Sequence, residues 1–157
     1  LNLPKWMQLD FAPIAQLLAE KQGGVINHKE LYSAFAKHYC IEDDGIVLNH
    51  YQLDREGDVE KLSLEVNGET WQGVGSGTIS ALCDAWQQRT GQVVDVIDYA
   101  EHAMHITSNG KEGKNANAMA YVYLQVGGIK SVGVALEKDS VRAMVLAVIK
   151  GLYSVLK

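Results

Sequence analysis

Two short turns about 60 residues apart, Asn67-Gly68 and Gly127-Gly128, constrain this chain more than any other feature. Each sits between runs of alternating apolar and polar residues, and Asn-Gly or Gly-Gly supplies the left-handed backbone that a two-residue β-hairpin demands. Ahead of the first turn, Leu62, Leu64 and Val66 alternate with Lys61, Ser63 and Glu65, the pattern of a strand buried on one face, and "ETWQGVG" returns after it. A further strand is predicted over residues 46–55, so the hairpin belongs to a three-stranded antiparallel unit. The second half repeats the order with "QVVDVIDYAEHAM", "AMAYVYLQV" and, after the turn, "IKSVGVAL". Helical spacing follows each set of strands. In the first, Ile79, Leu82, Cys83 and Trp86 fall at i, i+3, i+4 and i+7, with Thr78 as the expected N-cap and Gly91 as the stop. In the second, Asp139 is the expected cap of a helix carrying Val141, Met144, Val145, Val148, Ile149 and Leu152. The prediction is an α+β fold over residues 45–157, two pseudo-repeated βββα units, each sheet covered by its own helix. Sheets this short leave edges that a second copy commonly completes, so a homodimer is expected.

Residues 1–44 read differently. Phe11, Ile14, Ala15, Leu17 and Leu18 recur at helical spacing over 6–21 until Gly23-Gly24 interrupts them. Asn27 with Glu30 forms a capping-box start for a second helix, in which Leu31, Phe35 and Tyr39 share a face before "IEDDG" ends it. Neither helix carries enough apolar surface to stand alone, so the pair is expected to be a linker subdomain that packs on another part of a longer protein. Leu1 in place of a methionine also reads as internal sequence.

Composition narrows the partners. An apolar content of 47% over 157 residues supports a real core. The net charge of −5, with no run of lysine or arginine, makes nucleic acid and anionic membrane poor partners and favours a small polar one. No apolar run approaches the ~18 residues of a membrane span, and no signal pattern opens the chain. Cys40 and Cys83 lie far apart and outside any CxxC pair, which predicts reduced thiols and a cytoplasmic setting, with Cys83 in the core.

The stretch "WQGVGSGTISALCDAW" brings Gly73, Gly75 and Gly77 up to a helix start, where unpaired N–H groups and the positive end of the helix dipole can hold an anion. A dinucleotide fingerprint fails because Thr78 and Ser80 stand where it needs glycine, and a nucleophile elbow around Ser76 fails at Val74 and Thr78. A carboxylate ligand remains, beside the alternative that these glycines only let a strand turn tightly into a helix. Of the five histidines, His102 and His105 alone are close, and in a strand their spacing turns them to opposite faces, against metal ligation. Asp98 and Glu101 diverge in the same way, so no catalytic residue is assigned.

The order "GVGSGTISAL", "VIDYAEHAM", "NANAMAYVYLQV" and "SVGVALEKDSVRAMVLAVIKGL" resembles the C-terminal regulatory domain of the 2-isopropylmalate synthases, which condense acetyl-CoA with 2-oxoisovalerate in leucine synthesis. The likeness covers roughly 45–157, and the lead-in is similar to the family's helical linker. It implies a dimeric module that binds L-leucine as a feedback inhibitor, with no cofactor of its own. The catalytic (β/α)₈ barrel and its divalent metal would lie outside this chain. Carried over by position, the leucine site comprises Gly75, Ser76, Gly77 and Ile79 at the helix start, and Val96, Tyr99, His102 and Ala103 on one strand. Asn115, Ala116 and Ala118 follow on the next, with Leu136 as an apolar wall. Amides near Gly77 and Thr78 suit the ligand carboxylate, and Ile79, Val96 and Leu136 beside the small Ala103 and Ala116 suit a branched side chain. Backbone carbonyls or Asp98 are the acceptors considered for its ammonium. Ser76 and Thr78 stand where the family shows asparagine and proline, and Asn115 and Asn117 where it shows aspartate and glutamine. The segment "HITSNGKEGKN" is expected to be a mobile loop over the pocket. The alternatives are an isoleucine-binding domain of the citramalate synthase kind, a ligand-free dimerisation module, and a self-contained enzyme using His102, Asp98 and Glu101.

Overall fold

The computed structural model describes residues 3–41, 45–108 and 111–155, with strand side chains described up to Ala103 and again from Asn117. The chain divides into two compact units, Leu1–Asp44 and Gly45–Lys157.

In the first unit, α1 (Lys5–Lys21) and α2 (His28–His38) pack through aromatic side chains. The Asn27 side chain accepts a hydrogen bond from the Glu30 N–H at 2.8 Å, the cap the sequence predicts. Met7, Phe11 and Phe35 are buried, the two phenylalanine rings meet edge-on at 5.3 Å, and the Tyr39 hydroxyl donates to Asp10 at 2.5 Å. Leu17 departs from the predicted apolar face: it is 56% exposed and lines an open groove with Ile14, Leu18 and Ala34.

The second unit is α+β. Its first sheet has the order β1 (Leu48–Glu56), β2 (Val59–Val66), β3 (Glu69–Gly75), followed by α3 (Thr78–Thr90). Its second has the order β4 (Val94–Ser108), β5 (Lys111–Val126), β6 (Ile129–Glu137), followed by α4 (Ser140–Ser154). All pairings are antiparallel. Both predicted turns adopt positive φ at both central residues, 51° and 80° at Asn67-Gly68 and 55° and 85° at Gly127-Gly128, which twists the flanking strands together. The registers repeat across the halves: Leu62 opposes Gly73 as Val122 opposes Gly133, and Leu64 opposes Trp71 as Leu124 opposes Ser131.

Two boundaries differ from expectation. The first strand starts at Leu48 because Val47 is held by the turn instead of the ladder, its N–H donating to Asn67 Oδ1 at 2.7 Å and its carbonyl accepting from the Asn67 N–H at 2.9 Å. The segment expected as a loop after His105 continues as ladder, with Thr107 opposite Glu112 and Ser108 opposite Lys111, past a bulge that follows His105. A bulge lets the pairing absorb a residue without ending it. Residues 109 and 110, at the tip, lie outside the described residues.

The two helices do not cover separate cores. Leu62, Leu64, Trp71, Leu82 and Trp86 of the first half form one buried cluster with Val122, Leu124, Val148, Ile149 and Leu152 of the second. The buried face of α3 is Ala81, Leu82, Ala85 and Trp86, whereas Cys83, expected in the core, is half-buried, and Ile79 only packs against its margin. Small residues take that face because the helix lies directly on a strand. A Cβ on Gly73 would stand 2.1 Å from the Ala81 carbonyl oxygen, and one on Gly133 would stand 1.9 Å from that of Ala147 and 2.7 Å from the Gly151 nitrogen. The obstruction is backbone, which cannot rotate away. Gly133→Ala is therefore expected to lower stability by about 3 kcal/mol, the upper part of the usual range for overpacking, read as a lower urea midpoint at unchanged m-value.

Candidate functional site

The two helix starts, equivalent by the duplication, are finished in opposite ways. At α4 the Asp139 side chain caps the helix as predicted, accepting from the Val141 N–H at 2.8 Å. Its other oxygen accepts from the Tyr51 hydroxyl of β1 at 2.9 Å, and Arg142 Nη2 donates to the Leu48 carbonyl at 3.2 Å. This start is closed by the protein's own carboxylate and tied to the other half. The Tyr51 hydroxyl, with the Val141 amide next, holds the Asp139 carboxyl below its ordinary range. Burial first, then Asp139, pushes the Tyr51 phenol upward.

At α3 the cap residue is Gly77, not the predicted Thr78, and no side chain closes it. Thr78 is the first helical residue, and its hydroxyl donates to Glu60 Oε1 at 2.8 Å instead of serving the helix amides. A Cβ at Gly77 would meet nothing within 4 Å, so a side chain there would stand in open space. Gly75 is a different case, because a Cβ there would stand 2.6 Å from Ser80 Oγ and 2.7 Å from the Ala81 nitrogen. Both readings of the glycine run thus have a place: Gly73 and Gly75 admit the helix, and Gly77 leaves its start bare.

Glu60 belongs to none of the motifs in the sequence. It faces the core side of β2 opposite Gly75, is 9% exposed, and has Arg55 Nη1 at 3.7 Å beside its bond from Thr78. The signal was present in the alternation, where Glu60 occupies the inward phase of Leu62, Leu64 and Val66, and a carboxylate in that phase needs a partner.

The remaining predicted residues lie on the second sheet. Val96 opposes Leu124, Tyr99 opposes Val122 and Ala103 opposes Ala118, which puts all of them on the face that carries the core. His102 and Leu136 both oppose Met119 and occupy the other face. The Tyr99 hydroxyl donates to Glu101 at 2.7 Å, and burial followed by that bond raises its phenol above the usual range. His102 lies against Tyr121, hydroxyl to ring nitrogen 3.2 Å, and burial lowers its pKa. Asn115 and Ala116 fall in β5 with side chains outside the described residues, while Ser76 is exposed beside Gly77. Of the predicted set, Gly75, Ser76, Gly77 and Ile79 are brought together at the start of α3, whereas Val96, Tyr99, Ala103 and Ala118 share one face of the second sheet but are spread along it. His102 and Leu136 stand apart from both.

Asp98 and Glu101 oppose Tyr123 and Ala120, hence opposite faces. Among the described residues no group of three or more His, Cys, Asp or Glu side chains could hold a metal ion, and no helix is long and apolar enough to cross a membrane. Burial, with Asp95 adding, pushes the Cys83 thiol up to about 11, so it stays protonated.

The second unit is a duplicated βββα body with one helix start sealed by an internal carboxylate and its counterpart left without a side-chain cap. The chain belongs to the family described as the LeuA allosteric (dimerisation) domain, whose model matches residues 25–156. It is 30% identical over 154 residues to the 2-isopropylmalate synthase of Alcanivorax borkumensis, covering 95% of this chain and 26% of that protein. It is 31% identical to that of Brucella suis, covering 95% and 27%, and 32% identical to that of Mycobacterium leprae, covering 94% and 25%. The chain thus spans about a quarter of the length of the relatives it matches.

The Tyr51–Asp139 bond makes a pH prediction. A carboxyl held below its ordinary 3.8 in the folded state stabilises that state fully above 3.8, and the contribution is lost as pH falls through the lower folded value. In Tyr51→Phe the Asp139 carboxyl should titrate closer to 3.8 by NMR, and the acid limb of the stability profile should flatten; an unchanged Asp139 titration would refute the assignment.

Proposed function

We propose that this chain is the leucine-sensing, dimer-forming regulatory part of a 2-isopropylmalate synthase and mediates feedback inhibition of leucine synthesis in the cytoplasm. The observation that carries the reading is the bare start of α3 at Gly77, in a chain whose family is an allosteric dimerisation domain. The amides of the first turn receive the leucine carboxylate, since the helix end is the positive pole and no side chain of the protein caps it. Glu60, buried and bonded to Thr78, is the acceptor for the ammonium, replacing the backbone or Asp98 considered from sequence. The branched side chain packs against Ile79 and the apolar residues of the core-side face of the second sheet, Val96 and Ala103, whereas Leu136, on the opposite face, is left out of the pocket. Tyr99, Ala118 and Ser76 complete the wall, with the second-sheet residues contributed by the partner subunit, and His102, on the opposite sheet face, is left out of it. Leucine then favours one arrangement of the dimer over another, and coupling of about 1–3 kcal/mol is the scale on which such control operates. The groove between α1 and α2, with Ile14, Leu17 and Leu18 open, gives the catalytic barrel a surface to engage.

Calorimetric titration with leucine, isoleucine and valine tests this. Heat with leucine in preference to the others is expected; isoleucine alone would indicate a citramalate-type regulator, and no heat with any would indicate a ligand-free dimerisation module. Gly77→Val places a side chain in open space, so it should fold normally by circular dichroism and lose at least about tenfold in leucine affinity, the ~1.4 kcal/mol of one charge-assisted hydrogen bond. Retained affinity would move the carboxylate site elsewhere. Glu60→Gln should weaken leucine by a similar factor while an amino-acid analogue lacking the ammonium is unaffected.

A further inference from the structure

We infer that two copies of this chain join edge to edge through β4, running antiparallel about a twofold axis at Ala100. The inference rests on the dimer reading above and adds its surface and register.

The other edges of the sheets are partly answered from within. On β3 the Val74 N–H is bonded by Asp84 at 2.9 Å and the Thr70 carbonyl by Arg89 at 3.4 Å, both from α3, and on β1 the Leu48 carbonyl is taken by Arg142. Strand β4 is an outer strand of fifteen residues against nine in β6, and it holds Val96 and Ile97 exposed at 40% and 47%. An edge this long and apolar is a template for another strand. Its open side is visible in one bond: the Tyr99 amide is bonded by the neighbouring Asp98 carboxylate at 2.8 Å, a local stopgap for an amide facing away from β5.

A second copy fits this edge better than a foreign strand because the edge complements itself. With Ala100 opposite its own counterpart, Asp98 stands opposite the partner's His102, and Tyr99 opposite the partner's Glu101. These positions fall between the bulges after Val96 and His105, where pairing is regular, and facing residues share a side. Tyr99 and Glu101 form the pairs that exchange backbone hydrogen bonds, and Asp98 and His102 the closer, non-bonded pairs. The Tyr99 amide passes to a partner carbonyl, and the Asp98 carboxylate, released from it, turns to the imidazole of the partner.

The test is cross-linking combined with sedimentation of the whole chain. In a background of Cys40→Ser and Cys83→Ser, Ala100→Cys should form an intermolecular disulfide on mild oxidation, since cross-strand Cα atoms lie within disulfide reach, and Val74→Cys should not. Asp98→Lys should raise the dimer dissociation constant at least tenfold, and Asp98→Lys with His102→Asp should restore it. A chain that remains monomeric at high concentration overturns the dimer reading itself. A dimer that persists without the Ala100→Cys bridge and ignores Asp98→Lys leaves that reading intact and overturns the β4 pairing.

Discussion

The contact on which the regulatory unit depends is backbone against backbone. At Gly73 and Gly133 a helix rests on a strand so closely that a single methyl group would fall within 2.1 Å of a carbonyl oxygen. Close approach brings the alanines of α3 and α4 down to the sheets and forces the large side chains, Trp71, Trp86, Leu124 and Leu152, to the flanks, where the two halves meet. Each half alone would leave those flanks wet. Two small sheets thereby share one core, which overcomes the poor surface-to-volume ratio that either would have by itself.

Duplication also explains why the helix starts are informative. The same architecture gives two helix starts, and the two halves finish them with different residues. Asp139 fills one end and Tyr51 fastens it across the halves, while Gly77 leaves the other empty and Glu60 turns aside to bond Thr78. An uncapped helix end costs stability that the neighbouring capped end keeps. On the reading proposed above, the carboxylate of the ligand takes the place of the cap.

Much of the fold was legible in the chain itself because hairpin chemistry and strand alternation are local. Asn67-Gly68, Gly127-Gly128, the Asn27 and Asp139 caps and the Gly91 stop all act over a few residues, and each stands where the periodicity put it. What escaped depends on distance in space. Thr78 has the chemistry of a cap, but Glu60, eighteen residues earlier, claims its hydroxyl. Cys83 fits a helical stripe, yet the burial of α3 is set by Gly73, which rotates Ala81 and Ala85 inward. The ladder beyond His105 was hidden by glycines and charges that usually mark loops, and a bulge carries the pairing through them. For the site, the glycine run was found, but which glycine serves packing and which serves the opening could not be read until the helix lay over the strand.

The same close packing bears on how a signal would travel. The first turn of α3 meets Gly75 with the Ala81 nitrogen 2.7 Å from where a side chain would begin, so the helix start has no slack against β3. A ligand seated at Gly77 cannot displace α3 without carrying the first sheet with it, and the shared core carries the second. Densely packed interiors move as bodies, and their alternative arrangements lie at interfaces. In the proposed dimer, regulation therefore belongs to the junction between two such bodies, at the exposed edge of β4. On the dimer proposed above, a residue inside the shared core should alter stability, and a residue on that edge should alter response, because the edge is where the two rigid bodies meet.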